Sequence, residues 1–125
     1  MLMRMSGSAS HRHPLDPLYD QFAEVFQALA NTKRLHILRC VSEREKSVTE
    51  ILACRAFTGV PQSTVSQNLS ALKQQGLVKA RKDGTNVFYS LSDPRIVELL
   101  RLAGVLVERR VAEMGEVASG SRHEH

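Results

Sequence analysis

The chain has 125 residues, 42% of them hydrophobic, with a formal charge of +4 and a pI near 9.4. That length supports one domain with a modest core, and the basic balance suits a polyanionic partner without specifying one. Two cysteines without a paired framework point to a reducing compartment, the cytoplasm. Met1-Leu2-Met3-Arg4-Met5 runs straight into Ser, Gly and Ala, so no signal peptide is expected. Ile96 to Val111 is the longest apolar region. It is interrupted by Glu98, Arg101, Glu108, Arg109 and Arg110, so no membrane span is expected either.

Residues 1–15, rich in Ser, Gly, His and Pro, read as a disordered tail, as do residues 116–125. The domain lies between them, over 16–115. A first helix is predicted over about 16–30, with Leu18, Phe22, Val25 or Phe26, and Leu29 on one face. Asp16 is its expected cap and Pro17 its first-turn residue. A second helix follows over about 32–43, capped by Asn31, with Leu35, Leu38 and Val41 as its stripe. Ser47-Val48-Thr49-Glu50 has the form of a capping box opening a third helix, with Val48, Ile51 and Leu52 inward. Gly59 ends that region. Pro61 opens a fourth helix over about 61–75, and Gly76 closes it.

The period then changes. Val78 to Lys82 reads as a short strand, Asp83-Gly84 as a turn, and Val87 to Leu91 as a second strand. Asp93-Pro94 starts a last helix over about 94–114, with Ile96, Leu99, Leu100, Ala103, Leu106 or Val107, and Val111 on its apolar face. The fold class is therefore mainly α with a small β component (α+β): four helices, a β hairpin and a fifth helix. This is the order of a winged helix-turn-helix.

The fourth helix carries the functional argument. Val65, Leu69 and Leu72 share one face, while Gln62, Ser63, Thr64, Ser66, Gln67, Ser70 and Lys73 occupy the other. An ordinary exposed helix carries mostly Glu and Lys. Short neutral hydrogen bonders suit base edges and phosphates in a major groove. A plain Ser/Gln-rich surface helix is the alternative for this segment alone. The hairpin adds Lys79, Arg81 and Lys82, with Thr85 and Asn86 near its tip. Such a basic wing can track a DNA backbone, or simply protect an edge strand by charge. The wide apolar face of the last helix, about 30 Å long at 1.5 Å per residue, calls for a partner subunit. A two-fold dimer then places two reading helices about one DNA turn apart.

Three blocks resemble the ArsR/SmtB repressor family over about residues 22–100. They are Gln27-Ala28-Leu29-Ala30-Asn31-Thr32-Lys33-Arg34-Leu35-His36-Ile37-Leu38, then Gln62 to Leu69 with Leu72 and Gly76-Leu77-Val78, then Gly84 with Val87-Phe88-Tyr89-Ser90-Leu91. The resemblance implies a homodimer held by the first and last helices, bound to double-stranded operator DNA and released by an inducer, often a metal ion. One family metal site is a Cys-x-Cys at the start of the third helix; the matching stretch here is Ser47 to Leu52, without Cys. Hydroxyls do not replace thiolates for soft metals. Another begins with Asp-x-His in the last helix; here it is Asp93-Pro94-Arg95, and Arg is no ligand. Both familiar ligand sets are missing, and no cofactor is expected.

Other members sense sulfur or oxidants with one cysteine in the second helix and one in the last. Cys40 is in the second helix, but the other cysteine, Cys54, is in the third. A Cys40–Cys54 pair is open if the helices bring the sulfurs within reach, against two inert thiols. Residues Arg55 to Thr58 look like an insertion against the family pattern, which leaves the turn before Pro61 unassigned. His11, His13, His123 and His125 are tail candidates for a metal, and His36 reads as structural. No phosphate-cradling Gly loop, nucleophile–base motif or carboxylate pair is present, so an enzyme is not expected. The expected function is a DNA-binding transcription regulator, a homodimeric repressor with an unidentified inducer. The alternatives are a winged-helix protein-interaction module and a metal sensor using the His-containing tails.

Overall fold

The computed structural model describes residues 13–123, and the side chains of 13–115. A 3-10 turn at Asp16–Leu18 leads into α1 (Tyr19–Leu29) and α2 (Thr32–Glu43). Then come β1 (Lys46–Ser47), α3 (Val48–Leu52), a 3-10 turn (Arg55–Phe57) and α4 (Gln62–Gln74). The chain ends with β2 (Val78–Asp83), β3 (Asn86–Leu91) and α5 (Arg95–His123). No described helix is long and apolar enough to cross a membrane.

The local signals act at most of these boundaries. Asn31 is extended and its Oδ1 accepts from the Arg34 amide at 3.1 Å. At Ser47 the capping box is complete: Glu50 N donates to Ser47 Oγ, and Ser47 N donates to Glu50 Oε1. Gly76, at φ +74°, ends α4. There the Leu77 amide donates to Leu72 O and the Gly76 amide to Lys73 O, the bond pair of a Schellman motif. Leu72 and Leu77 are both buried. Gly84 takes φ +65° at the first position of a two-residue hairpin turn and Thr85 does not, the type II′ pattern, which sets Asp83 opposite Asn86.

Helices α2, α3 and α4 pack on one another, and β3 packs on α2. Ile37, Leu38, Ile51, Phe57, Val65, Leu69 and Leu72 form the fully buried centre. His36 meets the Phe57 ring edge-on at 6.4 Å, consistent with a structural role.

The sequence expectation needs correcting at several places. Asp16 does not cap α1: residues 16–18 form a 3-10 turn, and the Asp16 carboxylate accepts from the His13 amide. Leu35 is exposed, because it faces the groove between α2 and α5 and not the core. β1 is an unanticipated strand, two residues that pair with β3, giving a three-stranded antiparallel sheet in the order β1-β3-β2. A pair of residues carries no periodicity to detect. The segment expected as an insertion forms a 3-10 turn, Arg55–Phe57, anchored by buried Phe57. Finally, α5 does not stop near 114 but runs to His123, so its backbone is helical through most of the stretch expected as a tail. Apart from Gly120, that stretch holds residues a helix tolerates and no proline to stop it.

At the head of α5, Asp93 Oδ1 accepts from the Arg95 amide at 2.8 Å, and Oδ2 meets Arg95 Nη2 at 2.7 Å. The Arg95 guanidinium first, and its backbone amide second, hold the Asp93 carboxyl down to about 2.

Two outcomes are expected. Leu69→Ala lowers unfolding free energy by about 2–5 kcal/mol, whereas Ser70→Ala, one residue on but exposed, changes it by less than about 0.5 kcal/mol; urea titrations at one protein concentration read both. Asp93 titrates in carbon-detected NMR near pH 2, and Arg95→Ala returns it toward the ordinary value of about 3.9. Because the folded value lies below the unfolded one, the clasp contributes above about pH 4 and is lost as the pH falls through about 2.

Candidate nucleic-acid interface

α4 sits where three apolar side chains can be buried together. Val65, Leu69 and Leu72 are 0%, 1% and 0% exposed. At helical spacing this turns the opposite stripe outward. Gln62, Ser63, Gln67, Ser70 and Lys73 are exposed, while Thr64 and Ser66 are half-buried on the flanks. Pro61 is the N-cap and not a first-turn residue, with extended backbone at φ −62° and ψ 145°. Proline has no side-chain acceptor, so no side chain caps the first turn of α4. The Thr64 amide donates to Pro61 O at 3.0 Å, which leaves the amides of Gln62 and Ser63 for an external acceptor such as a phosphate.

A polar lock that the sequence analysis missed fixes the pitch of this helix. Arg34 Nε donates to Asn68 Oδ1 at 3.0 Å, Asn68 Nδ2 donates to Thr64 O at 3.0 Å, and Arg34 Nη1 donates to Ala28 O at 3.4 Å. One guanidinium thus ties α4 to the end of α1 from a seat on α2. Asn68 is half-buried. The signal was an amide side chain on the boundary between the apolar and polar faces of α4.

The wing is not the uniform basic strand that its sequence suggests. The pairing sets Lys79 opposite Ser90, Arg81 opposite Phe88 and Lys82 opposite Val87. Strand alternation therefore puts Lys79 and Arg81 on one face and Lys82 on the other. Arg81 is engaged within the chain. Its Nη2 lies 2.5 Å from Glu45 Oε1, its Nε 3.1 Å from Glu45 Oε2, and its guanidinium 5.2 Å over the Phe88 ring. That contact holds the Glu45 carboxylate below its usual range. Glu45 was not singled out in the sequence, being one charge in the run Glu43-Arg44-Glu45-Lys46. Among the described residues Lys73, Lys79 and Lys82 make no ion pair, and Thr85 and Asn86 are exposed at the hairpin tip.

The positions matched to family metal sites have other partners. Ser47 and Glu50 bind each other's backbone amides, and Glu50 also meets Arg44 Nη2 at 2.7 Å. Asp93 is clasped by Arg95. Of the tail histidines, His13 accepts the Leu15 amide on Nδ1. The side chain of His123, at the end of α5, and all of His11 and His125 lie outside the described residues. The two thiols do meet: Cys40 Sγ and Cys54 Sγ are 3.1 Å apart.

Residues 31–80 match the family model of bacterial regulatory proteins of the arsR family. The chain is 38% identical over 109 residues to the Mycobacterium tuberculosis HTH-type transcriptional regulator Rv0081, covering 84% of this chain and 94% of that protein. It superposes on the Rv0081 crystal structure with a TM-score of 0.70 over 78% of this chain and 96% of that one, at 39% identity. The solution structure of the homodimeric winged helix-turn-helix DNA-binding domain of Mb0332 from Mycobacterium bovis gives a TM-score of 0.68 at 35% identity, covering 82% and 93%. The probable mercury resistance operon repressor of Streptomyces lividans is 37% identical over 95 residues, 76% of this chain and 74% of that one. With the helix pair α3–α4, the wing and the family match in agreement, the chain belongs to the arsR family of bacterial regulatory proteins and has their winged helix-turn-helix fold.

Proposed function

We propose that the protein is a cytoplasmic, homodimeric transcriptional repressor that binds duplex operator DNA through α4 and the β2–β3 wing. The outer face of α4 carries the reading. It presents glutamine, serine and one terminal lysine without a single carboxylate. Gln62 and Gln67 suit adenine edges, Ser63 and Ser70 suit bases or phosphates, and Lys73, Lys79 and Lys82 suit the backbone. Arg81 is assigned to holding the wing against Glu45.

The dimer is supported by where the apolar surface lies. Among the described α5 side chains, only Ile96 is buried, and Leu100 is half-buried against the core. Leu102, Val105, Leu106, Val107, Val111 and Met114 are 47–69% exposed, and Tyr19, Phe22 and Phe26 of α1 add to this surface. An apolar groove of ≈ 620 Å³ runs between Leu35 and Arg39 of α2 and Val97, Leu100 and Val107 of α5. A monomer does not keep so much apolar surface in water. A second copy covers it by a two-fold contact of α1 and α5. The Mb0332 domain, of the same fold, is homodimeric.

Fluorescence anisotropy on the DNA upstream of the protein's own gene, at several salt concentrations, tests the reading. Tight binding over random duplex is expected; equal affinity for both overturns it. Gln67→Ala costs about 1–3 kcal/mol on the specific site and little on random DNA. Lys79→Ala and Lys82→Ala each reduce the salt slope by about 1, and Arg81→Ala changes the slope less than either. Sedimentation gives twice the 13.9 kDa chain mass, and Leu106→Glu shifts it toward the single chain.

A further inference from the structure

Cys40 is buried in α2, and Cys54 is half-buried between α3 and the 3-10 turn. DNA reading uses neither. Their sulfurs already touch at 3.1 Å, and Cys54 Sγ also lies 3.8 Å from Glu50 O. A disulfide requires about 2.05 Å between sulfurs, so a closure of roughly 1 Å turns the contact into a bond. Burial first, and contact with Cys54 second, push the Cys40 thiol up to about 11. Lys46 opposes that rise and Glu43 adds to it. Cys40 therefore holds its proton at neutral pH, which leaves the more exposed Cys54 as the attacking sulfur.

We infer that Cys40 and Cys54 form a dithiol switch oxidised by hydroperoxides, closing an intrachain disulfide that staples α2 to the segment leading into α4. In the first step the Cys54 thiolate attacks a peroxide oxygen. The S–O bond forms, the O–O bond breaks, and the leaving oxygen departs protonated as water or alcohol. Cys54 is then a sulfenic acid. In the second step Cys40 sulfur attacks Cys54 sulfur, the S–O bond breaks, and hydroxide leaves as water with the Cys40 proton. The two thiols lose two electrons and the peroxide gains them. Because α3 packs directly on α4, drawing the Cys54 end toward α2 shifts the reading helix from its reduced position. The effect on DNA rests on the proposed operator binding; the chemistry does not.

The test uses the full chain with hydrogen peroxide. Mass spectrometry without reductant is expected to show loss of two hydrogens and a peptide joining residues 40 and 54, reversed by dithiothreitol. Cys40→Ser leaves a sulfenic acid at Cys54 that dimedone traps, and Cys54→Ser leaves Cys40 unreacted on the same timescale. Disulfides between chains, or a sulfinic acid on Cys54 beside a free Cys40, overturn the inference. The oxidised protein should bind its upstream DNA about fivefold or more weakly, and the Cys54→Ser variant should keep reduced-state affinity in peroxide. Equal affinity of oxidised and reduced wild type overturns the switch. Failure of the reduced protein to bind overturns the operator reading and leaves the disulfide result to stand by itself.

Discussion

Burying Val65, Leu69 and Leu72 on a single face of α4 is the constraint from which the rest of the module follows. Each such side chain contributes about 1.5–3 kcal/mol when removed from water, and nothing else on α4 competes for the interior. The seat is made by Ile37 and Leu38 of α2 and Ile51 of α3. Once it is filled, the rotation of α4 is set. Gln62, Ser63, Gln67, Ser70 and Lys73 then face solvent together without any interaction among themselves having placed them. The face proposed to read DNA is the complement of the packing face. A sequence under this constraint is free to vary the outer residues for a particular operator while the inner ones keep the helix in place.

Burial sets rotation, but it does not set position along the axis to better than a fraction of a turn. The Arg34–Asn68 bond does that. A planar guanidinium hydrogen-bonded at Nε and Nη1 restricts sliding more than apolar contacts do. The same guanidinium also donates to the Ala28 carbonyl, in the helix whose exposed aromatics are assigned to the partner subunit. The surface proposed to read DNA and the surface proposed to make the dimer therefore meet at one residue. Half-site spacing is a geometric property of the dimer, so such a link between the two surfaces is of direct use to a two-fold reader.

Much of this was legible in the sequence, and the reasons for the exceptions are physical. Helices were readable because Leu72 and Gly76, or Ser47 and Glu50, act over three or four residues of local chain. The hairpin was readable from Asp83-Gly84 for the same reason, although the two turn residues are Gly84 and Thr85 and Asp83 pairs with Asn86. What could not be read depends on residues far apart in sequence. β1 exists because Lys46 and Ser47 find Tyr89 and Phe88. Arg81 is tied down because that pairing brings Glu45 beside it. The wing cations looked like one group because they are nearly consecutive, yet the pleat separates Lys82 from Lys79 and Arg81. Leu35 matched a helical stripe and still lies outside, because the core-facing arc of α2 is narrower than its apolar stripe.

The sensing half is where family pattern and chemistry part. The resemblance places metal positions at the start of α3 and in α5, and in this chain the matching stretches bear structural bonds instead. Ser47 and Glu50 hold the start of α3 closed on itself, and Asp93 is neutralised by Arg95 at the start of α5. A ligand recruited to either place would first have to break those contacts, including a carboxylate kept ionised down to about pH 2. The reactive groups left near the reading helix are two thiols in contact, Cys40 on α2 and Cys54 just after α3. In the proposed switch, signal and response are separated by one packed interface, α3 on α4. Cores are close-packed and deform in discrete steps more than smoothly. A bond that pulls two core sulfurs together by about 1 Å therefore has somewhere definite to act: the seat that holds Val65, Leu69 and Leu72.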